Sequence, residues 1–388
     1  MSEFQKLIKL TLLFVIGLSG ISWAQSKQVD SLRQTLTQDD NVQQVRTRNE
    51  LAKQLHYITS AKEYAQKALE IAQKIQDHQG VANSYASLGH CFFAIGEYEQ
   101  AYEYYLKAHK QAAQHQYALL EAKMSRNMGN VLRRQKKYKS ADKYFAQAMV
   151  VFQKLNNQEG IAQTLSNQGQ IFFHQAAYQP AKKRFKEAIQ LAEKINQPLI
   201  KAQTLGRLAY VYIAQKDLDK ARELLEEELK LVVRLKNQDL EADVQNDLGQ
   251  VLILANQFDE AENYLNSALA LGQKIGAKER MLASYNELAT LYKVRADFKK
   301  AFFYQDKGRA IEKEIRDADV SVRVNSLKSE YDIQRENDLL RQKVRLNRVV
   351  IIGGIIFLVI IVLLGFFLIK NIRQKNVIND ELSKQAGT

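Results

Sequence analysis

Proline is scarce in this chain, two among 388 residues, and neither stands where it would break a helix. Pro198 falls in a turn, and Pro180 just precedes Ala181, in a first helical turn where a missing N–H is tolerated. Cysteine is scarcer still. Cys91 stands alone, which excludes an internal disulfide and leaves a buried thiol as its expected role. The six histidines, at 56, 78, 90, 109, 115 and 174, lack the i,i+4 spacing of a helical metal site. There is no phosphate-binding glycine loop and no serine elbow. Catalysis therefore finds no support, no cofactor or metal is expected, and no segment reads as a strand. Acidic residues are the minority, 43 against 56 Lys and Arg, and the formal charge of +13 suits anionic partners or an anionic membrane surface. The densest basic run, Arg133, Arg134, Lys136, Lys137, Lys139 and Lys143, straddles a helix turn and reads either as a solvated surface or as an acidic-ligand patch.

What the chain does have is a period. A small residue recurs every 40 residues, at Gly89, Gly129, Gly169, Ala209, Gly249 and Ala289, and an alanine at 101, 141, 181, 221, 261 and 301 keeps the same step. One residue before the small position stand Leu88, Met128, Leu208, Leu248 and Leu288; three after it, Phe92, Leu132, Phe172, Tyr212, Leu252 and Tyr292. Nine after it come Tyr98, Tyr138, Tyr178, Leu218, Phe258 and Phe298, and sixteen after it Tyr105, Phe145, Phe185, Leu225 and Leu265, with Gln305 breaking the column. Spacings of three and four gather the large groups on one helical face, twice per repeat, so each repeat is a pair of amphipathic helices. One pair cannot bury its own apolar face; stacked neighbours do so together.

A glycine within a helix costs about 1 kcal/mol relative to alanine. Four of the six small positions accept that cost, which predicts a close approach of the partner helix. Turns are expected around Asp77, Asn156-Asn157, Asn196-Gln197-Pro198, Asn237 and Gly276 between repeats, and at Gly96 or Asn256 within them.

The order large, small, large, alanine, large, alanine, read as Leu88, Gly89, Phe92, Ala101, Tyr105 and Ala108, resembles the tetratricopeptide repeat. The usual period of that repeat is about 34 residues, so this chain would carry longer helices; HEAT repeats share the length but not the column order. The resemblance implies an all-α fold: an α-solenoid of about seven 40-residue helix pairs over residues 41–312, followed by a long helix and one transmembrane helix. The first copy is a divergent cap in which Ala61 and Ala68 keep register while Asn49 replaces the small residue.

The ends suggest where the array lives. Residues 1–24 carry Lys6 and Lys9, an apolar run Leu10–Leu18 and Ser22-Trp23-Ala24, the order of a secretory signal peptide cleaved before Gln25; an uncleaved anchor is the competing reading. Residues 25–40 read as an N-terminal linker or helix. Val349–Ile369 is an uncharged stretch bounded by Arg348 and Lys370, about 31 Å long as a helix, the thickness of a bilayer core. Basic residues flank it on both sides, so the positive-inside rule does not orient it; the signal peptide does, placing the repeats in the periplasm and the tail, 370–388, in the cytoplasm. Between array and span, residues 313–348 read as a charged juxtamembrane helix. Its stripe Val320, Val324, Leu327 and Tyr331 slips afterwards, so it reads as a solvated connector or as the contact of a homodimer.

Two expectations follow from the resemblance. In tetratricopeptide arrays the concave face is lined by the first helix of each pair, and the positions beside the packing columns are Asn83, His90 and Phe93; Arg126, Asn130, Arg133 and Arg134; Gln170, Phe173 and His174; Tyr210; Asn246 and Gln250; Asn286 and Thr290. These amide-rich positions suit hydrogen bonding to an extended or helical peptide or protein ligand. The order of parts also resembles the sensing half of bacterial membrane histidine kinases and helix-turn-helix regulators. That implies a single-pass inner-membrane protein acting as a periplasmic sensor or adaptor in transmembrane signalling, and an exported array would meet no nucleic-acid partner. A truncated kinase or regulator lacking its output domain, and a scaffold for envelope complexes, are the alternatives.

Overall fold

The computed structural model describes residues 29–37, 39–54 and 58–385. The signal-peptide reading of 1–24 lies outside the described residues. After a short helical stretch at 29–34, the chain forms α1 (Val42–Gln54), α2 (Ile58–Lys74), α3 (His78–Ala94), α4 (Tyr98–Gln114), α5 (Ala118–Arg134), α6 (Tyr138–Lys154) and α7 (Gln158–His174). It continues through α8 (Tyr178–Lys194), α9 (Pro198–Ala214), α10 (Leu218–Arg234), α11 (Gln238–Leu254), α12 (Phe258–Ile275), α13 (Lys278–Val294) and α14 (Phe298–Gln385). The described residues contain helices and turns and no strand. Seven pairs therefore stack as a solenoid, α1 with α2 through α13 with the start of α14.

The regularity is stricter than the forty-residue period implied. From α2 to α13 every helix has 17 residues except α12, which has 18. One left-handed residue recurs every twenty: Gln76, Gly96, Gln116, Lys136, Asn156, Ala176, Asn196, Lys216, Lys236, Asn256, Gly276 and Ala296. The N–H that follows each of them, from Asp77 to Asp297, reaches back to the carbonyl five residues earlier at 2.8–3.1 Å. This closes a Schellman turn and satisfies an otherwise orphaned helix-end carbonyl. The same residue's carbonyl then accepts the first bond of the next helix, as in Val81 N to Asp77 O at 2.9 Å, so three residues end one helix and begin another. Asp77, Asn157, Asp217 and Asn237 add side-chain caps to the N–H groups of Gly80, Gly160, Lys220 and Leu240. Pro198 is the first residue of α9 rather than part of the turn, and its missing N–H falls where a helix has no internal use for one.

The glycine column does what its cost predicted. A Cβ on Gly129 or Gly169 would lie 2.6 Å from the ring of Phe145 or Phe185, and one on Gly249 2.4 Å from Leu265. The large side chain of the second helix packs directly against the backbone of the first at these glycines, and the alanine columns seal the seam: Ala101, Ala141, Ala181, Ala221 and Ala261 are fully buried. In the cap, Asn49 is buried in the place of the small residue and donates from Nδ2 to Ser84 Oγ at 3.0 Å. Cys91 is buried, which pushes its thiol up to about 11.

Each helix packs on the one before and the one after. First helices of neighbouring repeats also approach one another, more closely than second helices do, so the first helices form the inner wall of the curve.

The described residues divide into two compact units, one ending at Asp319 and one beginning at Val320. The array closes within the first, where Ala301, Tyr304 and Gly308 of α14 turn inward and Gln305 is exposed. In the second, α14 continues without a helical break to Gln385, and Gln342–Val377 within it is long and apolar enough to cross a membrane. Its apolar side chains from Val349 to Ile369 are exposed.

Candidate functional site

The inner wall consists of α1, α3, α5, α7, α9, α11 and α13, and two polar columns run along it. The residue after each small position gives His90, Asn130, Gln170, Tyr210, Gln250 and Thr290; two residues before it come Asn127, Asn167, Arg207, Asp247 and Glu287. The columns meet across neighbouring helices. His90 Nε2 and Asn127 Nδ2 are 3.2 Å apart, the Tyr210 hydroxyl donates to Asp247 Oδ1 at 2.5 Å, and Gln250 Nε2 donates to Glu287 Oε1 at 3.5 Å. Arg207 donates to Ser166 Oγ at 2.8 Å, and Arg126 donates to Gln163. A ladder of polar contacts thus connects repeat to repeat where the tetratricopeptide resemblance placed a binding face.

The expected site residues fall on this wall in several environments. Arg133 and Asn246 are buried; Asn83, Phe93, Arg126, Asn130, Gln170, Phe173 and Gln250 are half-buried; His90, Arg134, His174, Tyr210, Asn286 and Thr290 are exposed. Asn246 is committed within the protein, accepting from Ser284 Oγ at 2.7 Å and donating to the Arg280 carbonyl at 3.3 Å. Thr290 donates to the Asn286 carbonyl of its own helix at 3.0 Å. Asn83 lines an open cleft of about 310 Å³ between α1 and α3, with Arg46, Asn49, Glu50 and Lys53.

Charge divides the wall. On α5 and α9 stand Arg126, Arg133, Arg134 and Arg207, and among the described residues none of the four has a carboxylate within ion-pairing distance. Burial lowers Arg126, Arg133 and Arg207 to about 10, and Arg134 adds like-charge repulsion to the last two. Burial also lowers His174, with Arg133, Arg134 and Lys136 contributing. His90 is open to water at its edge, but loss of hydration on the crowded inner wall takes its imidazole down to about 4, with Lys53 and Arg126 adding to the effect. Aromatic rings accompany these cations: Tyr138 stacks on His174 with centroids 6.1 Å apart, and Arg126 lies 5.7 Å from the centre of Phe152.

Farther along, the wall is acidic. Asp239 and Asp243 hold Arg280 at 3.2 and 2.9 Å. Burial raises Asp247 to about 7, with Asp243 and Glu287 adding to the rise and the Tyr210 hydroxyl and Arg280 opposing it. Behind them sits Glu228, only 3% exposed, in the column otherwise filled by Ala68, Ala108, Ala148, Ala188, Ala268 and Gly308. Gly206 makes its room: a Cβ there would lie 2.3 Å from Glu228 Oε2. Burial, then Asp247 and Asp243, raises Glu228 to about 9, so it is protonated at neutral pH.

Sequence reasoning found the column after the small position and missed both the column before it and Glu228. The first omission had a signal, an unbroken run of polar residues at a fixed register. The second had one too, a glutamate in an alanine column, but its meaning depends on Gly206. The structure also stacks His78 on His115 with centroids 4.0 Å apart, a pair 37 residues distant that no helical spacing announces. Among the described residues no group of three or more His, Cys, Asp and Glu is placed to hold a metal.

Comparison with known proteins agrees with this geometry. The sequence profile of the tetratricopeptide repeat matches residues 82–115, 120–194 and 201–274, so these stretches of the array are tetratricopeptide repeats. No curated protein sequence matches the chain. Among solved structures it is similar to a Rap protein complexed with Competence and Sporulation Factor, at 15% identity and a TM-score of 0.60 over 76% of this chain and 81% of that one. It is similar also to a plasmid Rap conjugation gene regulator in complex with a Phr peptide, at 16% identity and a TM-score of 0.56 over 70% and 73%. A third is the apo form of the quorum sensor NprR from B. thuringiensis, at 18% identity and a TM-score of 0.54 over 80% and 86%. At these identities the likeness is one of fold.

Proposed function

We propose that this chain is a membrane-anchored protein-interaction module that captures an extended peptide or protein segment along the inner wall and serves as sensor or adaptor in transmembrane signalling. The observation that carries the reading is the polar double column on the first helices. It lines one side of a curved stack with side chains able to hydrogen-bond a main chain or side chains. The Rap regulator of the same fold with its Phr peptide supports the ligand class. The span at 349–369 would tether the array, and export by residues 1–24 would set it outside the inner membrane with 370–388 in the cytoplasm.

Two measurements test this. Full-length protein in lipid nanodiscs, offered a randomised peptide library, should retain a restricted set, and Gln170→Ala with Tyr210→Ala should release it. Retention unchanged by both substitutions would remove the inner wall from the function. For topology, reporter fusions after residue 312 and after Thr388 should report opposite sides of the membrane. In membranes, constitutive cross-linking to fixed partners in the absence of peptide would favour the scaffold over the sensor.

A further inference from the structure

One column of the second helices reaches across every junction between repeats. Thirteen residues after the small position stand Tyr102, Asp142, Lys182, Arg222 and Glu262, and each bonds to the repeat that follows its own. The hydroxyls of Tyr102 and Tyr144 are 2.6 Å apart, Asp142 Oδ1 accepts from Gln168 at 3.2 Å, and Lys182 donates to Gln215 at 3.0 Å. Arg222 donates to Gln257 at 3.0 Å and to Glu260 at 2.6 Å, and Glu262 accepts from Arg295 at 2.8 Å and from Tyr292. The sixth member is Phe302, on α14, and it is 63% exposed. Phe298, one turn earlier, repeats the pattern: in its column Tyr138 and Phe258 meet His174 and Arg295 of the following repeat, whereas Phe298 is 68% exposed.

The opposite end of the array is covered by the chain itself. Gln44 of α1 is buried and donates to the Thr35 carbonyl at 2.8 Å, and Arg48 donates to the Thr37 carbonyl at 3.1 Å. A terminal unit of a solenoid needs a polar outer face, and α14 has one only in part. At helical spacings of three and four, the stripe that begins with Phe298 and Phe302 continues through Gln305, Arg309 and Glu312, all exposed. Gln305 and Glu312 occupy the columns where Tyr105 and Ala112 are buried, so another repeat of the same kind would bury two polar groups without partners. What covers the phenylalanines is therefore something other than a further repeat.

We propose that this end face of α14 is a self-association surface, on which Phe298 and Phe302 of two copies of the chain meet across a two-fold axis. The inference rests on the membrane-anchored reading and adds the partner. Arg309 and Glu312 carry opposite signs three residues apart, and among the described residues neither has an ion-pair partner. With both copies running in the same direction, as anchoring in one bilayer sets them, Arg309 of each copy comes beside Glu312 of the other, so the face complements itself. A two-fold contact of this kind closes with two chains. Stacked or edge-to-face phenylalanines add to the area they bury, and a shared bilayer raises the effective concentration of one copy for the other.

The test uses the full chain in its membranes. With Cys91→Ala removing the buried thiol, Gln305→Cys, between Phe302 and Arg309 on the stripe, should be oxidised by copper phenanthroline to a disulfide-linked dimer, and Gln190→Cys, exposed on α8, should stay monomeric. Phe302→Glu should abolish the dimer without lowering the thermal midpoint, since the side chain it replaces is exposed. Arg309→Glu and Glu312→Arg should each weaken the dimer several-fold alone, because like charges then face one another. Expressed together, the two variants should restore it, each chain supplying the sign the other lacks, a rescue that an unrelated protein on this face cannot give. A dimer that persists in Phe302→Glu would place the contact elsewhere and overturn the proposal, as would a monomer in the membrane fraction or Gln305→Cys joined to a different protein. Recovery of the chain from the soluble fraction without detergent would overturn the anchored reading beneath it, and the proposal with it.

Discussion

Two parts of the array treat arginine in opposite ways. Arg280 on the inner wall, and Arg222 and Arg295 beside the second helices α10 and α12, are each clamped by two carboxylates, whereas the four arginines on the α5 and α9 stretch of the inner wall have none in ion-pairing reach. Helix lengths and turns are nearly the same in both, and the polar side chains differ most. In a repeat protein the packing columns repeat because every unit needs them, and the residues free to diverge are those that touch something other than the next repeat.

Substitutions can break or sharpen this contrast. The largest effect should be indifferent to it. Gly129→Leu and Gly249→Leu, one from each stretch, should each cost about 3 kcal/mol by driving a side chain into Phe145 or Leu265, read as a drop in thermal midpoint of the full chain. A marked difference between the two would mean that the stretches also differ in packing. Next, Glu228→Gln removes an ionisable group whose folded pKa lies near 9 against an ordinary 4.5. The raised value means its contribution is complete below pH 4.5 and is lost as pH climbs towards 9. The wild-type midpoint should therefore fall over that window, and the variant should be flatter and more stable by about 2 kcal/mol at pH 8. Parallel pH profiles would sink the assignment.

A smaller pair has opposite signs. Arg280→Leu strands Asp239 and Asp243 and should destabilise by about 1–2 kcal/mol, reduced from the fully buried case because the site is partly open to water. Arg133→Leu removes an unpaired buried cation and should be neutral or stabilising by about 1 kcal/mol. Equal destabilisation by both would erase the contrast. Smallest of all, Ala176→Gly should stabilise by about 0.5 kcal/mol, because alanine is strained in the left-handed turn that glycine adopts freely, less what glycine adds to the entropy of the unfolded chain. Denaturant midpoints resolve a change of that size.

Much of this was legible in the residues. Gly89 opposite Tyr105, Gly129 opposite Phe145 and Gly169 opposite Phe185 are sixteen residues apart at every occurrence, and one reading of the columns identifies the seam. Asp77, Asn156 and Gly276 announce their turns through residues that favour caps or the left-handed region. Gln116, Lys136, Ala176 and Lys216 announce nothing, because they are forced into that region by the Schellman bonds of the helices on either side rather than by preference. The same holds for the wall. His90, Tyr210 and Gln250 could be placed beside the small column from sequence, whereas their partners Asn127, Asp247 and Glu287 lie 37 residues away and matter only once the helices are side by side.

The repeat, the pairing of helices, the apolar seam and the stretch able to cross a membrane are all legible in the residues, because each is written in spacing along one or two turns of helix or in an unbroken apolar run. Tertiary structure alone decided which charges meet. Whether an arginine is clamped or left open depends on what the neighbouring helix carries at the facing position, and that is a distance in space between residues some forty apart in the chain.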